Sequence, residues 1–170
     1  VQSIGEPVKY SVKIDKEYPL KQIHLNTSQV GITGTDYLSA RKTLLKNNDV
    51  SMSICTPSEP NMEYFYKNGE ADEVIFIHDG NGWLYSQFGK LRIRQGDYVV
   101  IPRTTIYRLE WDDEPLRLLI IESSHPVETV KRYRNELGQL LEHSPYCERD
   151  IRPPEELITE KEKGKYQVKI

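Results

Sequence analysis

Cysteine is scarce in this chain, with two among 170 residues, Cys55 and Cys147. They lie far apart and form no C-x-x-C pair, which argues against a disulfide framework and fits a reducing compartment. The expected location is therefore the cytoplasm. Long apolar runs are also missing. The longest, such as LRLLIIE, reach about half a membrane span or less, and the opening VQSIGEPVKY has neither a basic n-region nor an apolar h-region. Neither a membrane protein nor a secreted one is expected. No excess of positive charge is present either: 23 basic and 26 acidic side chains are interleaved, for a net charge of −3. Nothing resembles the basic footprint of a nucleic-acid binder. Histidine is rare as well, with four residues scattered at His24, His78, His125 and His143.

What is present is strand-forming sequence. At this length the chain fits one domain with a real core. From Pro7 to Leu25 apolar and polar residues alternate (VKYSVKI, PLKQIHL), the period of half-buried lead-in strands. Residues 31–48 carry two glycines and a short mixed segment, read mostly as loop with room for a helical turn or two. Between Val50 and Ser123 β-branched and aromatic runs alternate with turn signals: SMSIC, EYFY, EVIFIH, GWLYSQ, KLRIR, DYVVIP, TIYRLEW and LRLLIIES. The turns NGE, DGNG, FGK, QGD and WDDEP supply glycine, amide and acidic residues where hairpins need positive φ or local capping. The pattern predicts an all-β antiparallel barrel or sandwich over residues 1–125.

After Pro126 the character changes. KRYRNELGQLLEH has helix-like leucine and charge spacing weakened by Gly138, SPYCERDIRPPEEL is broken by prolines, and TEKEKGKYQVKI reads as a charged linker or frayed end. Residues 126–170 are expected to be an irregular extension. The chain opens without methionine and closes on that linker-like stretch, which reads as a portion of a longer polypeptide cut before an absent C-terminal domain.

The barrel segment carries the spacing of a metal site without its ligands. Small barrels of the cupin class hold a metal through two blocks, G-x5-H-x-H-x(3,4)-E-x6-G and G-x5-P-x-G-x2-H. Glu73 and Gly80 match the end of the first, and Gly96 and Pro102 the start of the second, so the chain resembles a cupin, a jelly-roll of two packed sheets. Strand alternation explains such blocks, because residues two apart point inward together. The histidine positions, however, fall on Tyr66 and Asn68, or on Lys67 and Gly69 with the shorter spacing. Tyr107 stands at the third, and Thr104 replaces the usual glycine. A ferrous site normally needs two imidazoles and a carboxylate on one face. No catalytic, cofactor-binding or metal residue is therefore assigned in this chain.

Four further features have bland readings. The scattered histidines read as exposed loop and strand-end imidazoles. His78 and Asp79 are neighbours on a strand and face opposite sides, which disfavours a proton-transfer dyad. Glu73, if buried, needs an arginine or hydrogen-bonding partner, for which Arg92, Arg94 and Arg103 are candidates. Cys147, between Tyr146 and Glu148, shows no sign of an activating base and reads as a structural or inert thiol rather than a catalytic one.

The run YFYKNGEADEVIFIHDGNGWLYSQFGKLRIRQGDYVVIPRTTIYRLEW, followed by LLIIESSHPVETVKRYRNELGQLLEHSPYCERDIRPP, resembles the N-terminal half of homogentisate 1,2-dioxygenase of the bacterial type. ELGQLLEHSPYCERDIRPP is its most specific part. The resemblance implies a non-haem ferrous enzyme that opens the homogentisate ring with O2 to give maleylacetoacetate in tyrosine and phenylalanine breakdown. It also implies that Fe(2+) is bound by two histidines and a glutamate in a C-terminal barrel and not by this chain. The implied partners are a small aromatic substrate and O2, and the subunits would form a homo-oligomer. The leucine segment would then be partly an irregular loop packing between domains. The alternative is a stand-alone, non-catalytic cupin-like module for ligand binding or assembly, with Tyr64, Tyr66, Trp83, Tyr85 and Tyr107 at the barrel mouth. A metal-free isomerase ranks below both.

Overall fold

A computed structural model describes residues 24–112, 115–158 and 164–170. The alternating stretch Pro7–Leu25 lies, except for its last two residues, outside the described residues. Each of the eight runs between Val50 and Ser123 contains one strand: β2 (Val50–Cys55), β3 (Phe65–Tyr66), β4 (Asp72–Asp79), β5 (Gly82–Ser86), β6 (Gly89–Ile93), β7 (Tyr98–Ile101), β8 (Tyr107–Trp111) and β9 (Arg117–Ser123). Two more flank them, β1 (Arg41–Lys46) and β10 (Val168–Lys169). No α-helix occurs among the described residues, only short 3-10 turns at 27–29, 131–133 and 148–150.

The strands form two five-stranded sheets, ordered β1-β2-β9-β4-β7 and β10-β3-β8-β5-β6. All pairings are antiparallel except β10 with β3. The sheets close over one core, in which Ile75, Ile77, Val99, Ile101, Leu118 and Ile120 of the first face Leu84, Ile93, Leu109 and Trp111 of the second. The period of two produces this arrangement: along β4, Ile75 and Ile77 are buried while Val74 and Phe76 lie on the other side, half-exposed. Gly82 permits the close approach of β5 to β8, since a side chain there would run into the Glu110 carbonyl.

Two expectations need correction. The segment 31–48 was expected to be mostly loop, but Arg41–Lys46 is an edge strand paired with β2. A register shift between Thr43 and Leu45 breaks the alternation that would have marked it. At the other end, the described tail is not frayed. Val168 and Lys169 pair with Phe65 and Tyr66, the Tyr166 ring packs edge-on against Phe65 at 5.7 Å, and Lys169 Nζ lies 3.5 Å above the Tyr64 ring.

The leucine segment after Pro126 is irregular. Asn135 Oδ1 accepts from the Leu137 and Gln139 amides, making a turn, Gly138 has φ +84°, and Leu137 is exposed. Farther on, Glu155 and Glu156 bond Lys90 on the edge of β6, and Arg152 reaches Asp97 and the Arg92 carbonyl. The extension thereby covers an edge strand that would otherwise present free backbone groups.

Candidate functional site

The two sequence blocks meet inside one end of the barrel. Gly80 and Gly96 take φ of +111° and +88°, the left-handed region that explains glycine at both block positions. Thr104, at the place of the third glycine, also sits at φ +67°. The backbone thus keeps the turns of a metal-holding barrel while the ligand positions hold other chemistry. Tyr66 and Tyr107 pair across β3 and β8 with rings 5.6 Å apart. Asn68 follows β3 and uses its side-chain oxygen to accept from the Glu70 and Ala71 amides, which forms the NGE turn. Its amide nitrogen donates to Glu122 Oε1 at 2.9 Å. These are the positions of the longer spacing; Lys67 and Gly69 play no part in the cluster.

Glu73 is fully enclosed, and directly opposite it on β9 stands a second carboxylate, Glu122. Like charges facing each other across a ladder repel, and an enclosed carboxylate is costly without a partner. The chain answers both with one side chain. Arg41 Nη1 lies 2.7 Å from Glu73 Oε1 and 3.3 Å from Glu122 Oε1. The shorter contact is an ion pair without an aligned hydrogen bond, and Arg41 Nε has no partner. Glu73 Oε2 accepts from the Tyr107 hydroxyl at 2.7 Å. Because that proton is committed, the Tyr37 hydroxyl, 3.1 Å away, donates to Tyr107. Arg41 Nη2 reaches the same hydroxyl at 3.4 Å. The guanidinium also lies 4.6 Å from the Tyr37 ring centre and 5.1 Å from that of Tyr66, within range of a cation–π contact. Ser51 donates to Glu122 Oε2 and completes the cluster.

Local sequence aims these groups. Asp36 accepts from the Leu38 and Ser39 amides in a tight turn, and the Ala40 amide closes on the Asp36 carbonyl. Tyr37 and Arg41 leave that turn on the same side, and Arg41 pairs in register with the buried Cys55. Burial above all pushes the Tyr37 and Tyr107 hydroxyls well above the usual tyrosine range, and Tyr66 up to about 12. Burial works against the Arg41 charge, but Tyr37, Glu73 and Tyr107 outweigh it and hold the guanidinium protonated beyond its ordinary range.

The arginines first considered for Glu73 serve elsewhere. Arg92 pairs with Asp112 at 2.5 Å, the Arg94 amide bonds Asp97, and Arg103 bonds Asp72. The true partner, Arg41, lies in the segment read as loop. The five aromatics proposed for a barrel mouth do not converge: Tyr64, Tyr66 and Tyr107 turn inward, whereas Trp83 and Tyr85 flank the buried Leu84 on the opposite face, under Lys90, Arg92 and Arg108. His24, His78, His125 and His143 are all exposed. Asp79 accepts from Gln95 and lies 3.8 Å from Arg117. Cys147 is half-buried, with its thiol against Asp150.

Comparison with known proteins gives this geometry its context. The homogentisate 1,2-dioxygenase N-terminal family matches residues 22–165. The chain belongs to that family. A Saccharolobus solfataricus protein named "Putative dioxygenase SSO1533" is 34% identical over all 170 residues, and the chain spans 43% of that relative's length. Among solved structures, a Ralstonia eutropha protein named as a putative mannose-6-phosphate isomerase aligns at a TM-score of 0.51 and 18% identity. It covers 60% of this chain and 98% of its own. A Bacteroides fragilis cupin protein aligns at 0.45 and 18%, covering 69% and 93%. The two packed five-stranded sheets are themselves the cupin-like jelly-roll arrangement.

The ferrous iron implied by the family does not fit the residues present here. The motif centre offers one enclosed carboxylate, two hydroxyls held neutral by burial and an amide, and a guanidinium stands against the carboxylate. Among the described residues no group of three or more His, Cys, Asp or Glu side chains is placed to hold a metal.

Proposed function

We propose that this chain is the metal-free N-terminal barrel of a homogentisate 1,2-dioxygenase-type protein. In that protein the ring of a small aromatic substrate, homogentisate, is opened with O2 at a ferrous iron held by a second, C-terminal barrel, giving maleylacetoacetate. The observation that carries the reading is the family match over residues 22–165 on a barrel whose own motif centre has no imidazole. The relative of more than twice this length supplies room for the second barrel.

No reaction step is assigned to these 170 residues. Their contribution is structural: a rigid double sheet with a closed interior, an extension pinned along β6, and a tail built into the second sheet through β10. The reading carries with it a cytoplasmic homo-oligomer. No helix among the described residues is long and apolar enough to cross a membrane.

The coding sequence downstream of Ile170 provides the test. A continuation with an H-x5-E pair and a later histidine is expected, and the protein so encoded should take up O2 on addition of homogentisate. A stop codon directly after Ile170, or a full-length protein inert toward homogentisate with iron bound, would refute the reading. The former would favour the stand-alone module instead.

A further inference from the structure

We propose that Arg41 is the resident cation of this barrel: its guanidinium stands where metal-bearing barrels of the same motif hold their ion. Three observations carry the inference. All four ligand positions, Tyr66, Asn68, Glu73 and Tyr107, come together at one end of the interior. Arg41 touches three of them directly, at Glu73 Oε1, the Tyr107 hydroxyl and the Tyr66 ring, and shares Glu122 Oε1 with the fourth. Finally, two carboxylates face each other across β4 and β9, an arrangement that a positive charge between them stabilises.

A planar guanidinium suits this task, because its five N–H donors fan out in a fixed fork and its flat face can stack on a ring, whereas an ammonium places three donors on one point. The tyrosines complete the substitution. Imidazoles at positions 66 and 107 would offer lone pairs to a metal, but beside a guanidinium each protonated imidazole would add a second, repelling positive charge. Tyrosine instead donates to Glu73 and presents a ring face to the cation. The site has thus exchanged a soluble cation for a covalently attached one, and the exchange makes the interior independent of metal supply. This inference concerns the chain's own interior and stands whether or not the protein is a dioxygenase.

Two sets of variants test it. Arg41→Ala should lower the melting temperature by about 10 °C or more, and millimolar methylguanidinium should recover part of that loss saturably while leaving the wild type unmoved. Glu73→Gln strands the arginine, and adding Arg41→Met to it should raise the melting temperature above that of the single variant; this arm decides the matter if Arg41→Ala does not fold. In the second set, Tyr66→His with Tyr107→His is titrated with Co2+ in the presence and absence of Arg41→Ala. One Co2+ per chain, with visible ligand-field bands, is expected only when Arg41 is removed. Cobalt bound equally with Arg41 retained would overturn the proposal. So would an Arg41→Ala protein that melts with the wild type, or a double variant no more stable than Glu73→Gln.

Discussion

Asp72 and Glu73 are consecutive on β4, and the pleat sends them to opposite sides of the sheet, where each meets an arginine. Glu73 points into the barrel and meets Arg41, whose side chain is 11% exposed; Asp72 sits at the rim and meets Arg103, whose side chain is 36% exposed. Asp72 also accepts the Arg103 and Val127 backbone amides, which bind the turn after β7 and the start of the extension to β4. The inner pair shares its cation with Glu122 and a tyrosine chain, while the outer pair is a local clamp wetted on one side. The same chemistry one residue apart thus does two jobs: the interior pair fixes the barrel's polar end, and the rim pair fixes how the extension leaves it.

The inner pair should be by far the more costly to break. Glu73→Gln, which leaves Arg41 enclosed without its counter-charge, is expected to destabilise by about 3–5 kcal/mol in urea melts. Asp72→Asn keeps the shape and loses the charge, and should cost about 1–2 kcal/mol, because hydrogen bonds to a charged group are strong but Arg103 is partly solvated. Equal costs for the two substitutions would break the distinction between interior and rim.

Acid should act on the rim. Burial raises the Asp72 pKa, but the Arg103 and Val127 amides and the Arg103 side chain outweigh it, so it lies below the usual carboxyl value. Its contribution is complete above the unfolded value of about 4 and lost as the pH falls through the lower folded value. Asp72→Asn should flatten that loss. Alkali should act on the interior. The raised values of Tyr37, Tyr66 and Tyr107 mean that their contribution is complete below the unfolded tyrosine value of about 10 and disappears as the pH rises through the folded values. In a spectrophotometric titration these three tyrosines, together with Tyr64, whose hydroxyl pKa is also raised by burial, should ionise only as the protein unfolds.

Two smaller effects sharpen the contrast. Thr104 sits between the two systems, following Arg103 and donating its amide to the Asn68 carbonyl at 2.7 Å. Thr104→Gly should stabilise by up to about 1 kcal/mol, since relief of the left-handed strain is partly offset by glycine's larger unfolded-state entropy. For the thiols, burial pushes Cys55 up to about 12, so iodoacetamide at pH 8 should modify Cys147 and leave Cys55 intact in the folded protein.

The strands of the barrel were legible in the sequence because each buried face repeats every second residue and each turn is marked by glycine, asparagine or aspartate. The motif centre was legible as well, since Glu73 with Gly80 and Gly96 with Pro102 sit at fixed offsets, and all four ligand positions converge as the longer spacing requires. Arg41 was not legible. It belongs to an edge strand whose register shift hides its period, and it meets Glu73 through a long-range contact to which no local pattern points. The tail escaped for a similar reason, because two residues of strand after a charged run carry no periodicity of their own. Trp83 and Tyr85 were misplaced by treating aromatics as a group, when alternation about the buried Leu84 assigns them to the outer face.

An arginine holds this barrel where its sequence pattern would hold a metal. Anaerobic titration of the 170-residue chain with ferrous iron, followed by calorimetry, tests this most directly. No stoichiometric binding and no change in melting temperature are expected; tight binding of one iron per chain, abolished by Glu73→Gln, would show that the site holds a metal after all.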